Sequence, residues 1–321
     1  MLKVQHKRLN LIIAEPKDFS EKVKVSLKAS FNLTIKNLKS DELEHAFCHF
    51  DIFWFRLGFQ IDRALIEISN RRVKYIVTPV TGLNHIDTIA CEEYGIKIIS
   101  LKGEFEFLQA VRATAEHTLL LTLALLRNLV PAVKSVSEGF WDREPFKGNE
   151  IFKKTVGIIG FGRLGKIVSD YYKALGAKIL IYEKNPNAEL LSSSELVDLD
   201  TLLRESDIVS LHINFLPENI EFFSARHFSL MKPSAVFINT SRGQLVDAIA
   251  LKNALNNGEI SGAALDVISD EFDLSNSPEL ELLTSNKLTN LIITPHIGGN
   301  TWESFDKTEK FIYNKLIKTI N

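Results

Sequence analysis

The sequence predicts an α/β protein made of two doubly wound, parallel-sheet (Rossmann-like) domains. Three observations carry this prediction. Short apolar runs of strand length alternate with stretches of helical pattern. The runs are apolar almost throughout, as strands covered on both faces of a parallel sheet must be. They also fall into two series, separated by a helical region over residues 105–140.

The bulk numbers agree. The chain has 321 residues, 45% of them hydrophobic and 24% charged, which is enough for a sizeable core and for two domains. A formal net charge of −2 argues against nucleic-acid or membrane-surface partners. The first apolar run, Leu9–Ala14, is too short for a signal-peptide core and contains Asn10. The later HTLLLTLALL, 117–126, is half a membrane span and stops at Arg127. Cys48 and Cys91 give neither a disulfide framework nor metal-ligand spacing. A cytoplasmic protein is expected, with no metal, nucleic acid or membrane partner.

Taken in order, the first series reads LNLIIA (9–14), FNLTI (31–35), DIFWF (51–55), KYIVT (74–78) and IKIIS (96–100). Helix-like stretches lie at 61–70 and 85–94. The second series reads TVGIIG (155–160), KILIY (178–182), DIVSLHI (207–213), AVFINT (235–240), GAALDV (262–267) and LIITP (291–295). Phe305, Phe311, Ile312, Leu316 and Ile320 then recur near helical spacing, so a terminal helix is predicted.

The most informative stretch is TVGIIGFGRLGKIVSDYYKALGAKILIYE, 155–183. A strand runs into Gly160-Phe161-Gly162-Arg163-Leu164-Gly165 and then into a helix. Gly160 permits the tight turn, Gly162 lets a pyrophosphate approach the backbone, and Gly165 lets helix and strand pack closely. The helix N-terminus offers free N–H groups and its positive dipole end to phosphates. Glu183 ends the next strand, where a carboxylate can bind a ribose 2′-hydroxyl and repel a 2′-phosphate. The predicted cofactor is therefore NAD. A turn serving packing alone, or a methyltransferase-like pocket, is the competing reading.

Downstream, FINTSRGQLVD (237–247), GAALDVISDEF (262–272) and ITPHIGGNT (293–301) occur in this order. Together with the glycine turn and VTGLNHID (80–87) they resemble the D-isomer-specific 2-hydroxyacid dehydrogenases, the group that includes D-3-phosphoglycerate dehydrogenase. The resemblance runs through most of the chain. It implies a cofactor domain, 106–296, inserted into a substrate domain made of 1–105 and 297–321, with the active site in the cleft between them. It also implies a homodimer, formed by an arm that includes the apolar stretch 117–130 and Trp141.

By position, the resemblance implies Arg242, Glu271 and His296 as the catalytic set. Hydride transfer at C2 needs a proton at the C2 oxygen, hence an acid–base group. A planar guanidinium suits a two-point grip on the substrate carboxylate and carbonyl. A carboxylate beside the histidine holds its ring and favours its charged form. Thr240 and Asp266 would lie near the nicotinamide. Thr81 and Gly82 would offer backbone N–H groups to the substrate, with Asn84 close by, and Arg56 could meet an anionic substrate group.

Each residue also has a plainer reading. Arg242 could be a turn arginine, Asp266 a strand-end acid, Glu271 a solvated loop residue, Asn84 a helix N-cap and His296 a loop histidine. His85, His117 and His212 have no claim beyond structure. Asn214 and Phe272 stand where the family usually has proline, which leaves the substrate open among phosphoglycerate, glyoxylate, hydroxypyruvate and larger sugar-derived acids. An NAD(H)-sensing corepressor of the same fold is the alternative function. Formate dehydrogenase chemistry is disfavoured, because that branch pairs its histidine with glutamine where Glu271 stands.

Overall fold

A computed structural model of the chain describes residues 8–187, 190, 195–275, 277–284 and 290–320. All eleven apolar runs form strands. The chain divides into two compact units, one made of Met1–Val111 and Asn300–Asn321, the other of Arg112–Gly299. The first crossing falls after Val111 because Phe107, Leu108 and Val111 still pack into the core of the first unit.

In the first unit, β1 (Asn10–Ile13), β2 (Asn32–Ile35), β3 (Ile52–Trp54), β4 (Tyr75–Val77) and β5 (Lys97–Ile99) form a sheet in the order β2-β1-β3-β4-β5. Every pair is parallel. Side chains alternate between the faces. Ile12, Phe53 and Ile76 pack on one side, and Leu11, Ile13, Ile52, Trp54 and Val77 on the other. The second face is covered by Val23 and Leu27 of the helix Glu21–Ser30 and by Ile312 and Leu316 of the helix Trp302–Ile320. The helix expected at 61–70 is only Arg63–Ile66. The helix expected at 85–94 is Thr88–Glu93, and its cap is Asp87, whose carboxylate accepts the Ala90 N–H at 2.8 Å, rather than Asn84.

In the second unit, β6 (Thr155–Ile159), β7 (Lys178–Tyr182), β8 (Ile208–Leu211), β9 (Val236–Asn239), β10 (Gly262–Leu265) and β11 (Leu291–Ile293) are all parallel. Their order is β11-β10-β9-β8-β6-β7. A bridge from Ile181 to Leu196 extends the sheet beyond β7. The winding direction reverses between β6 and β8, the place where open α/β sheets bind ligands. Helices Ala113–Leu126 and Arg163–Ala174 cover one face through Ala115, Leu121, Leu125, Ile167 and Tyr172. Helices Leu199–Glu205, Ala225–Leu230 and Ala248–Asn257 contribute to the other.

The helical region between the two series breaks into Phe105–Leu108, Ala113–Leu126 and Leu129–Ser137. Leu120, Leu129, Val130, Val133, Val136, Phe140 and Trp141 are exposed, Trp141 by 91%. Among the described residues, no single helix is long and apolar enough to cross a membrane.

Candidate active site

β6 ends at Ile159 and the chain turns at Gly160, whose φ of +91° excludes a side chain. A Cβ there would also lie 2.8 Å from the backbone of His212. Gly162 differs. A Cβ at this position would meet no protein atom within 4 Å. The open space beside Gly162 leaves room for a group to approach the backbone closely. Gly162 also caps the helix Arg163–Ala174, so the first turn of that helix and its positive dipole end open onto that space. The residues fit a dinucleotide pyrophosphate.

Glu183 follows β7 and is fixed in place. Its Oε2 accepts the Phe161 N–H at 2.8 Å and its Oε1 the Asn185 N–H at 3.1 Å. Behind the turn stands His212, buried at the end of β8. Its Nε2 lies 2.8 Å from Ser210 Oγ, while Nδ1 is buried without a protein partner. Burial pulls its pKa down to about 3, so the ring is neutral at physiological pH. Arg163 opens the helix; burial and the nearby Arg112 charge lower its pKa.

The three candidate catalytic side chains all belong to the second unit. His296 Nδ1 lies 2.7 Å from Glu271 Oε2. Arg242 is close enough to Glu271 for the two charges to couple: burial lowers the guanidinium pKa and the Glu271 charge opposes that shift. The Arg242 loop is tied down by its own polar groups. Ser241 Oγ donates to the Leu211 carbonyl at 2.7 Å, and the buried Asn239 side chain donates to the Arg242 carbonyl at 3.0 Å.

His296 carries a feature absent from its sequence signature. Its φ is +53°, the left-handed region that costs a non-glycine residue roughly 1–2 kcal/mol. Asp266, at the end of β10, holds it there. The Asp266 carbonyl accepts the His296 N–H at 2.9 Å. Its carboxylate accepts Ile297 N–H at 2.9 Å, Gly298 N–H at 2.7 Å and the Thr294 hydroxyl at 2.6 Å. Burial alone would raise the Asp266 pKa, but His117, Thr294 and the two N–H groups outweigh it and the result is lowered. A Cβ on Gly298 would come within 2.8 Å of Asp266 Oδ2 and 3.2 Å of Thr114 Cγ2, so only glycine lets the loop dock.

Other expected residues are placed differently. Thr240 is buried, with its hydroxyl 2.8 Å from that of Thr118. Thr81 and Gly82 lie in the loop after β4, in the first unit. Arg56, expected to meet a substrate anion, makes its contacts inside that unit. It contacts the fully buried Glu309 at 2.5 Å, the Lys17 carbonyl at 2.8 Å, and the Phe305 ring at 3.9 Å from Cζ. The His296–Glu271 contact forms with Phe272 beside it in place of proline.

A doubly wound domain that frames a dinucleotide turn and sets a histidine against a glutamate has the make-up of the nucleotide-binding half of a dehydrogenase. The family model for the NAD binding domain of D-isomer specific 2-hydroxyacid dehydrogenases matches residues 119–298, and the chain belongs to that family. Its cofactor is a nicotinamide dinucleotide. A hydroxypyruvate reductase of Thermotoga maritima is 30% identical over 98% of this chain and 99% of its own length. A D-3-phosphoglycerate dehydrogenase of Synechocystis sp. is 36% identical over 79% of this chain, but the match spans only 44% of that longer protein. Among solved structures, D-lactate dehydrogenase of Aquifex aeolicus, complexed with NAD and lactic acid, gives a TM-score of 0.80 at 27% identity, covering 97% of this chain and 95% of the other. An acyclic imino acid reductase complexed with NADPH and D-Arg gives 0.80 at 25% identity, covering 97% of both.

Proposed function

We propose that the protein interconverts a D-2-hydroxy acid and its 2-oxo acid, with NAD(H) as cofactor. The observation that carries this reading is the His296–Glu271 pair at 2.7 Å, coupled to Arg242. Arg242 grips the substrate carboxylate and the C2 oxygen. Its partial desolvation favours an anionic partner. His296 spends Nδ1 on Glu271, so Nε2 is the atom that gives the C2 oxygen its proton in reduction and removes it in oxidation. Glu271 orients the ring through Nδ1.

The dinucleotide, when bound, supplies or accepts the hydride at C2. Gly160, Gly162, Arg163, Leu164 and Gly165 would hold its pyrophosphate, Glu183 the adenosine ribose, and Thr240 and Asp266 would border the nicotinamide end. Preference for NAD over NADP rests on Glu183, a fixed carboxylate that disfavours a 2′-phosphate. The exposed apolar run from Leu129 to Trp141 supports a homodimer, since that much apolar surface is poorly placed against water. A cytoplasmic setting fits the small-molecule chemistry and the two free cysteines.

Phosphoglycerate, hydroxypyruvate and lactate name the relatives above, and a glyoxylate reductase of Thermococcus litoralis is a further one. A panel of their 2-oxo acids with NADH, followed by loss of absorbance, tests the proposal. Turnover of at least one supports it; turnover of none, with NADH bound, refutes it.

A further inference from the structure

His117 lies one turn into the helix Ala113–Leu126, the first element of the second unit. Its side chain is nine-tenths buried. Nε2 lies 3.0 Å from Thr294 Oγ1 and 3.2 Å from Asp266 Oδ1. Those are the two residues that hold the His296 loop. The next residue, Thr118, meets Thr240, two positions before Arg242. Adjacent residues of one helix therefore grip the two loops that carry the candidate catalytic groups.

We propose that His117 is a positioning residue for the acid–base His296, acting through Asp266 and Thr294; this rests on the proposed dehydrogenase function. A left-handed histidine persists only where its surroundings over-determine it. Here the backbone N–H groups of three successive residues, 296 to 298, all converge on Asp266. One buried aspartate thus carries the loop, and its own position has to be fixed. Thr294 fixes it from within the loop, whereas His117 fixes it from a separate rigid element. Without the imidazole the Asp266 carboxylate loses its tie to the helix and the loop can relax. A shift of about 1 Å at a catalytic group costs roughly a hundredfold in rate. The contacts leave the substrate grip at Arg242 untouched, so kcat falls and KM does not.

The test uses the full-length protein with His117→Phe, which keeps a ring of similar bulk, and His117→Gln, which keeps a polar atom near Nε2. With the best 2-oxo acid of the panel, His117→Phe is expected to lower kcat at least tenfold, with KM and the NADH dissociation constant within twofold of wild type. His117→Gln restores kcat to within threefold. Thr294→Val breaks the same chain, and the double variant His117→Phe/Thr294→Val is no more than twofold worse than the poorer single one. Hydrogen exchange of the 294–300 peptide rises at least tenfold in His117→Phe, while the peptide covering 155–165 is unchanged. A normal kcat in His117→Phe, failure of glutamine to rescue it, additive losses or unchanged exchange at 294–300 would each overturn the assignment. If His117→Phe does not fold, the glutamine and valine variants decide by the same kcat and exchange criteria. A wild type that turns over no 2-oxo acid sinks the dehydrogenase reading, and the exchange comparison still tells whether His117 holds the loop.

Discussion

His212 makes the second unit acid-sensitive by an amount that can be worked out. In the folded protein the ring stays neutral down to about pH 3, whereas in the unfolded chain it takes a proton near pH 6.5. Between those values the unfolded state binds more protons, so stability falls as pH falls. The loss from this one residue reaches roughly 4 kcal/mol at pH 3 and about 3 kcal/mol by pH 4, a large share of a typical folding free energy. His212→Gln keeps a polar atom for Ser210 but cannot titrate. At pH 7.5 it should be less stable than wild type by about 1 kcal/mol, the net value of an ordinary hydrogen bond. At pH 4 the order should reverse, with the variant ahead by about 2 kcal/mol. Urea unfolding at pH 7.5, 6, 5 and 4, read by far-UV ellipticity for both proteins, gives the two stability curves. The other titrating groups are common to both and cancel. Curves that run parallel across this range would refute the assignment of a neutral buried imidazole.

Four further outcomes can be measured directly. His296→Ala should lower kcat at least about a hundredfold, the low end for a lost acid–base group, while NADH titration shows unchanged binding. Arg242→Lys should lower kcat/KM at least tenfold, or about 1.4 kcal/mol, because one ammonium cannot reproduce a two-point grip. Wild-type kcat/KM with NADH should exceed that with NADPH, and Glu183→Ala should narrow the ratio; equal values in wild type would move Glu183 out of the ribose site. Light scattering at micromolar concentration should give a mass near twice 36.3 kDa, and a monomer mass would free the Leu129–Trp141 face for another use.

The strands were legible because parallel strands buried on both faces have to be apolar at every position, which is a local property. The helix at 61–70 was overdrawn because only Ile66 of Arg63–Ile66 is buried, so little packing extends the turn. Arg242, Glu271 and His296 became candidates through the order of their motifs, not through geometry. The left-handed His296, the Asp266 clamp and His117 were not visible at all. Each depends on hydrogen bonds between distant parts of the chain, such as the 177 residues separating His117 from Thr294. The Arg56–Glu309 pair was hidden for the same reason, since its two members lie 253 residues apart.

That last separation has a consequence for synthesis. At roughly 5–20 residues per second, a ribosome takes about 13–50 s to travel from Arg56 to Glu309. During that interval the whole run 112–299 emerges as one uninterrupted segment, able to close its own sheet. The older unit waits, with Arg56 lacking its carboxylate and one apolar face of its sheet lacking Ile312 and Leu316. Of the two units, the one begun earlier is therefore the one finished later, and until then one face of its sheet stays bare.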